Sequence, residues 1–321
     1  KRKERHNHLF TFFCHNSNSI KMIFRSIILS ALLMSSACNN SNDQKTENTN
    51  ISTFEKEFKT TKADSSFNKL VQAYGQEIIR TKDKKEKEAL LQGAILLCSS
   101  PEKSNLKEIF ATELIKLNPN ASSANDFMWN LANNMADRNK KEVASILYKG
   151  FKTRFPTDER SKETEKYILT EQKDIHGYIK NLAEEVFKMP DDSGLNKVAA
   201  QNYIDICESF ALVNPEDKMA AEYLFRAAEM SRAIGGFSKM MSLYDWIYQY
   251  FPEYKKAPLA LFLKGFALDS EFKQKEDAKK IYEQFLTEFP NDSLAKDVRF
   301  LLKNIGKSDE ELLKEIEKKK N

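Results

Sequence analysis

The phrase KIYEQFLTEFPND (280–292) is written twice more with small changes, as SLYDWIYQYFPEY (242–254) and ILYKGFKTRFPTD (146–158). The positions nine, eight, five and one before each Pro hold Leu147, Tyr148, Phe151, Phe155; Leu243, Tyr244, Ile247, Phe251; and Ile281, Tyr282, Phe285, Phe289. Offsets that step by one, three and four place these side chains on one face of an α-helix. Pro cannot continue a helix and disfavours the helical conformation at the residue before it. Each phrase therefore predicts the second half of an amphipathic helix together with its stop. Two weaker copies follow the same rule, with Phe110, Ala111, Leu114 and Leu117 before Pro119 and Ile206, Cys207, Phe210 and Val213 before Pro215.

The prolines are spaced 37 (119 to 156), 59 (156 to 215), 37 (215 to 252) and 38 (252 to 290) residues apart. A period in the mid-thirties built from two helices predicts a helical solenoid. First helices are expected over 222–234 and 257–272, with short loops at 235–238 and 273–277. The 59-residue interval holds an extra stripe, Ile168, Ile175, Ile179, Leu182 and Val186, that predicts an inserted helix ended by Pro190 and the turn 191–194. Residues 65–81 and 85–100 predict another helix pair, and SDEELLKEIEKKK (308–320) a terminal helix whose Ser308 and Glu311 form a capping box.

The best unit, 258–292, places Gly265, Ala278, Tyr282 and Pro290 near the small, small, aromatic and Pro positions of tetratricopeptide (TPR) repeats, which it resembles. It has no early Trp in its first helix and is slightly longer than the family unit. The longer unit and its EFPND ending most resemble periplasmic TPR proteins, among them the lipoprotein of the outer-membrane β-barrel assembly machinery and the coordinator of the Tol–Pal system. The resemblance implies an all-α, right-handed solenoid of TPR-like hairpins, with a helix insertion and a C-terminal capping helix. It also implies a groove that binds protein partners.

The N-terminal residues read as targeting signals. Met22 opens MIFRSIILSALLMSSAC (22–38), with Lys21 and Arg25 flanking a short apolar run and small residues before Cys38. That layout predicts a signal peptide over 22–37, with 1–21 an upstream extension. Cys38 resembles the lipidated Cys of bacterial lipoproteins, although Ser35 stands where that family has Leu, Val or Ile; Ser35 and Ala37 equally fit ordinary signal cleavage. Residues 38–63 are expected to be the lipidated Cys and a flexible polar tether, 64–157 N-terminal helical repeats, 158–194 the inserted helix or linker, and 195–321 C-terminal TPR-like repeats with the cap helix. Asn39, rather than Asp, follows the Cys, which favours an outer-membrane lipoprotein facing the periplasm.

Residues 1–37 hold six Lys or Arg and one acid, so residues 38–321 sum to about −1 of the whole chain's +4. A near-neutral body carries no electrostatic footprint for nucleic acid. His6, His8 and His15 precede Met22, leaving His176, which reads as a surface helix residue. Cys98 and Cys207 sit in apolar helical runs and read as buried structural thiols. Glycine-rich phosphate motifs are absent, and the acidic clusters mix signs at helical spacing, as solvated helix faces do. No cofactor, metal or catalytic set is expected. The partner groove is expected to be lined by first-helix residues off the seam, Glu222, Arg226, Glu229 and Lys264. The reading is a membrane-anchored TPR scaffold for protein–protein contacts. The alternative is a glycan-capture lipoprotein, disfavoured because Trp129 and Trp246 are the only Trp and both lie in helical runs.

Overall fold

A computed structural model describes residues 51–121, 123–188 and 194–307. The expected leader, Cys38, Pro190 and the expected 308–320 helix lie outside the described residues. Thirteen α-helices and no strand occur among the described residues. The chain divides after Thr170 into two units.

The first unit contains α1 (Ile51–Thr61), α2 (Asp64–Arg80), α3 (Lys84–Leu97), α4 (Ser104–Leu117), α5 (Ala124–Asp137) and α6 (Lys141–Arg154). They pack as the antiparallel pairs α1/α2, α3/α4 and α5/α6. The second unit contains α7 (Ile175–Glu185), α8 (Lys197–Val213), α9 (Ala220–Ala233), α10 (Phe237–Tyr250), α11 (Ala257–Ser270), α12 (Lys275–Glu288) and α13 (Ala295–Asn304). Each packs on the next in chain order.

All five Pro-terminated phrases end their helices the same way. The residue before Pro is the C-cap: Asn118, Phe155, Asn214, Phe251 and Phe289. In the three Phe-Pro cases it adopts φ −122, −128 and −126 with ψ 56, 56 and 52, outside the helical region, as the following Pro demands. Its carbonyl then accepts from the N–H two residues past Pro: Ala121, Asp158, Asp217, Tyr254 and Asp292. Those residues in turn accept from Ala124, Ser161, Ala220, Ala257 and Ala295. The Ala or Ser at this point is at most 4 % exposed in every copy, because the next segment starts where the chain crosses the previous helix end.

The face predicted by the phrases is the core. Tyr148, Tyr244 and Tyr282 are at most 1 % exposed, and Phe151, Ile247 and Phe285 are fully buried. The Phe directly before Pro lies at the rim: Phe155, Phe251 and Phe289 are half-buried, with Phe289 tilted on Phe285 at 5.5 Å. Cys98 and Cys207 are buried free thiols.

Two expectations need correction. Residues 51–61, assigned to the flexible tether, form α1. Ile51, Phe54 and Phe58 fall on one helical face, and Phe58 meets Phe67 of α2 edge-on at 5.7 Å. The Tyr74 hydroxyl donates to Glu55 at 2.8 Å and pins the helix down. The insertion is not one helix through Ile168. It consists of a 3₁₀ segment Glu159–Tyr167, a 3₁₀ turn Thr170–Gln172, and α7. Side chains here bond to nearby backbone and compete with the α-helix: Ser161 to the Phe155 carbonyl at 2.6 Å and Thr164 to the Ser161 carbonyl at 2.8 Å. Asp174 then caps α7 by accepting from Gly177 N–H at 3.0 Å.

Candidate functional site

The expected groove residues begin on α9. Glu222, Arg226 and Glu229 fall at i, i+4 and i+7, on one side of the helix. Glu222 Oε1 accepts from Arg226 Nε at 2.9 Å. Glu222 Oε2 accepts from Tyr254 Oη at 2.5 Å and from Lys256 Nζ at 3.0 Å. Tyr254 and Lys256 belong to the turn between α10 and α11, so Glu222 ties one hairpin to the next and faces the seam, contrary to expectation. Burial alone would raise the Glu222 pKa. The donors Tyr254, Lys256 and Arg226 outweigh it and hold the carboxylate at about 2.

Arg226 and Glu229 keep exposed faces. Glu229 accepts from the Tyr244 hydroxyl across the hairpin. Lys264, on α11, is turned back to Asp245 of α10, with Nζ 2.6 Å from Oδ1. The structure thus joins Glu222 to Arg226, while Glu229 and Lys264 are each engaged separately. His176, the second residue of α7, is about half exposed, with its ring edge-on to Phe210 at 5.5 Å and Nδ1 2.8 Å from Tyr223 Oη.

The clamp around Glu222 also takes in an aromatic ring. Lys256 Nζ lies 4.7 Å from the centroid of the Phe225 ring, a cation–π distance. The first unit repeats the arrangement. Arg160 sits 2.9 Å from Asp126 and 5.6 Å from the Trp129 ring, and its Nε and Nη2 hold Asp158 at 2.8 and 2.6 Å. In the pair α11/α12 the same positions are Leu259, Phe262 and Leu294. There Phe262 and Leu294 pack on a core that includes Leu261, Tyr282 and Phe285. Acid and cation have been exchanged for leucines around a retained aromatic. Sequence reading missed these residues because it counted backwards from Pro. Counted forwards, an aromatic stands ten residues past four of the prolines: Trp129, Phe225, Phe262 and Phe300.

A second ladder runs inside the hairpins. The Tyr148 hydroxyl donates to Asn133 at 2.5 Å, and Tyr244 donates to Glu229, each acceptor standing nine residues past the Ala that opens its helix. At that position α11 has Phe266, and the buried Tyr282 hydroxyl is without a hydrogen-bond partner among the described residues. The Tyr282 ring instead fills the space that Gly265 leaves. A Cβ at Gly265 would lie 2.9 Å from Tyr282 Cε1 and 3.0 Å from Ile281 Cγ2. Ala132 and Ala228 hold the same place in α5 and α9 and are fully buried.

Among the described residues, no helix is long and apolar enough to cross a membrane. In the comparisons with known proteins, a family model described as tetratricopeptide repeat matches residues 259–292. No curated protein and no solved structure matches the chain. The matched residues are the hairpin α11/α12 with its terminal Pro turn, so the expected TPR-like, all-α stacking of hairpins is what the fold shows.

Proposed function

We propose that this chain is a membrane-anchored envelope lipoprotein that serves as a TPR scaffold for protein partners in outer-membrane or cell-envelope assembly. One observation carries the scaffold part: a TPR unit at 259–292 lies in a run of hairpins joined by the same Pro turn. Such hairpins mediate protein–protein contacts, and their first helices offer side chains to a partner. On α9 these are the exposed Arg226 and Glu229, held in place by Glu222 and Tyr244. The anchor part rests on the sequence around Cys38. Because α1 packs on α2, the stretch available as a tether ends before Ile51 rather than near residue 63.

Photocrosslinking tests the scaffold reading. A crosslinker at Arg226 or Glu229 should give a discrete protein adduct in cells, and one at the exposed Lys279 of α12 should not. Equal labelling from both faces, or no adduct from either, would contradict it. Metabolic labelling with a fatty acid tests the anchor: the wild-type chain should take up label and Cys38→Ala should not. Trp129 and Trp246 are engaged in helix packing, so no observation favours the glycan-capture alternative.

A further inference from the structure

A helix that packs one face on a core keeps its other side polar. The helix α11, APLALFLKGFALDS, does not. Its core side holds the buried Leu261, Gly265 and Leu268, yet Leu259, Phe262 and Phe266 on the adjoining side are apolar too and only half-buried. At the places of Leu259 and Phe266, α5 has Asp126 and Asn133, and α9 has Glu222 and Glu229.

The exchange removes a hydrogen bond. Asn133 and Glu229 accept from Tyr148 and Tyr244, whereas Phe266 leaves the buried Tyr282 hydroxyl without an acceptor among the described residues. A buried donor without a partner lowers stability. An aromatic side chain kept at that position in spite of the loss indicates a use outside the fold.

The Phe262 and Phe266 rings stack on each other, with centroids 6.1 Å apart and 29° between their planes. Ion pairs at both ends hold α9 alongside α11. Lys256, just before α11, meets Glu222 at 3.0 Å, and Arg232 meets Glu271, just past α11, at 3.4 Å. Glu229 therefore stands level with Phe266 on the neighbouring helix, and Asp269 follows Phe266 one turn along α11. Among the described residues neither Glu229 nor Asp269 has an ion-pair partner, while the nearby cations Arg226, Arg232 and Lys256 are taken by Glu222 or Glu271.

We infer that the α9/α11 face binds a segment of a partner protein in which an aromatic or long aliphatic side chain lies next to Lys or Arg. The apolar side chain covers Phe262 and Phe266, and the basic neighbours meet Glu229 and Asp269. This rests on the scaffold reading and narrows it, because the patch selects apolar-basic segments over acidic ones.

A random peptide library displayed on phage and selected on the full chain supplies the probe. Enriched sequences should join an aromatic or aliphatic residue to Lys or Arg. A synthetic peptide of that consensus should bind F266N about tenfold more weakly than wild type in fluorescence anisotropy. The melting temperature of F266N should equal or exceed that of wild type, because the new amide supplies the acceptor that Tyr282 lacks. E229Q/D269N removes both charges and keeps an acceptor for Tyr244; it should weaken binding and flatten its dependence on salt. An acidic consensus, no consensus, or equal affinity for F266N would overturn the inference, and discrete adducts at Arg226 or Glu229 would still leave the scaffold reading standing. A melting temperature of F266N well below wild type would overturn it by showing that Phe266 serves the core. Self-association of the wild-type chain that F266N abolishes would overturn it by identifying a second copy as the occupant.

Discussion

At the residue scale, the tyrosine eight positions before Pro has one packing role and two hydrogen-bonding situations. Tyr148 and Tyr244 have acceptors in Asn133 and Glu229; Tyr282 has Phe266 in that place. Tyr148→Phe and Tyr244→Phe should each cost about 1 kcal/mol in urea unfolding, the net worth of a typical hydrogen bond. Tyr282→Phe should cost nothing or stabilise, because it removes a buried hydroxyl that is unsatisfied. Truncation separates depth in the same assay. Phe285→Ala should cost about 3–5 kcal/mol, and the rim residue Phe289→Ala about 1–2 kcal/mol. Gly265→Ala gains helix propensity but brings a methyl to 2.9 Å from the fully buried Tyr282 ring, and should lose about 1–3 kcal/mol net. The tyrosines were legible in the sequence because helical spacing and Pro fixed their face. Which of them lack an acceptor was not legible, since that depends on residue pairs fifteen or sixteen apart that the hairpin loop brings into register.

At the scale of elements, the turn after each Pro decides how one hairpin meets the next. Helix ends were readable because Pro imposes a local rule. The failures lie where side chains override periodicity. Ile168 keeps the helical stripe in sequence, yet Ser161 and Thr164 bond to backbone and the segment becomes 3₁₀. Polar composition hid α1, which is held by Phe58 and Glu55 against α2. Glu222 was read as a free groove residue because the sequence does not show that Tyr254 and Lys256 turn towards it. That clamp has a pH signature. Its folded pKa, about 2, lies below the ordinary 4.5, so its stabilisation is complete above about pH 4.5 and is lost as pH falls towards 2. Glu222→Gln should lower stability at pH 7 by on the order of 2–3 kcal/mol, and the difference from wild type should shrink in acid. A constant difference between pH 7 and pH 3 in denaturant titrations would show that the carboxylate charge is not what holds the seam.

At the scale of the molecule, stability comes from neighbours, because one hairpin does not bury its own apolar face. The core of α11 and α12 is completed by Ala295 and Val298 of α13, and Met241 and Tyr248 of α10 pack against it. Sequence legibility follows the same division. Repeated packing positions were visible because they recur, and the partner surface was not, because a groove is defined by side chains that need not repeat. The most direct test of stacking is hydrogen exchange on Phe285→Ala. Amide protection should fall most in α11 and α12, less in α10 and α13, and hardly at all in α7 and α8. A loss confined to α12, or one spread evenly from α7 to α13, would contradict a structure held together by nearest-neighbour stacking.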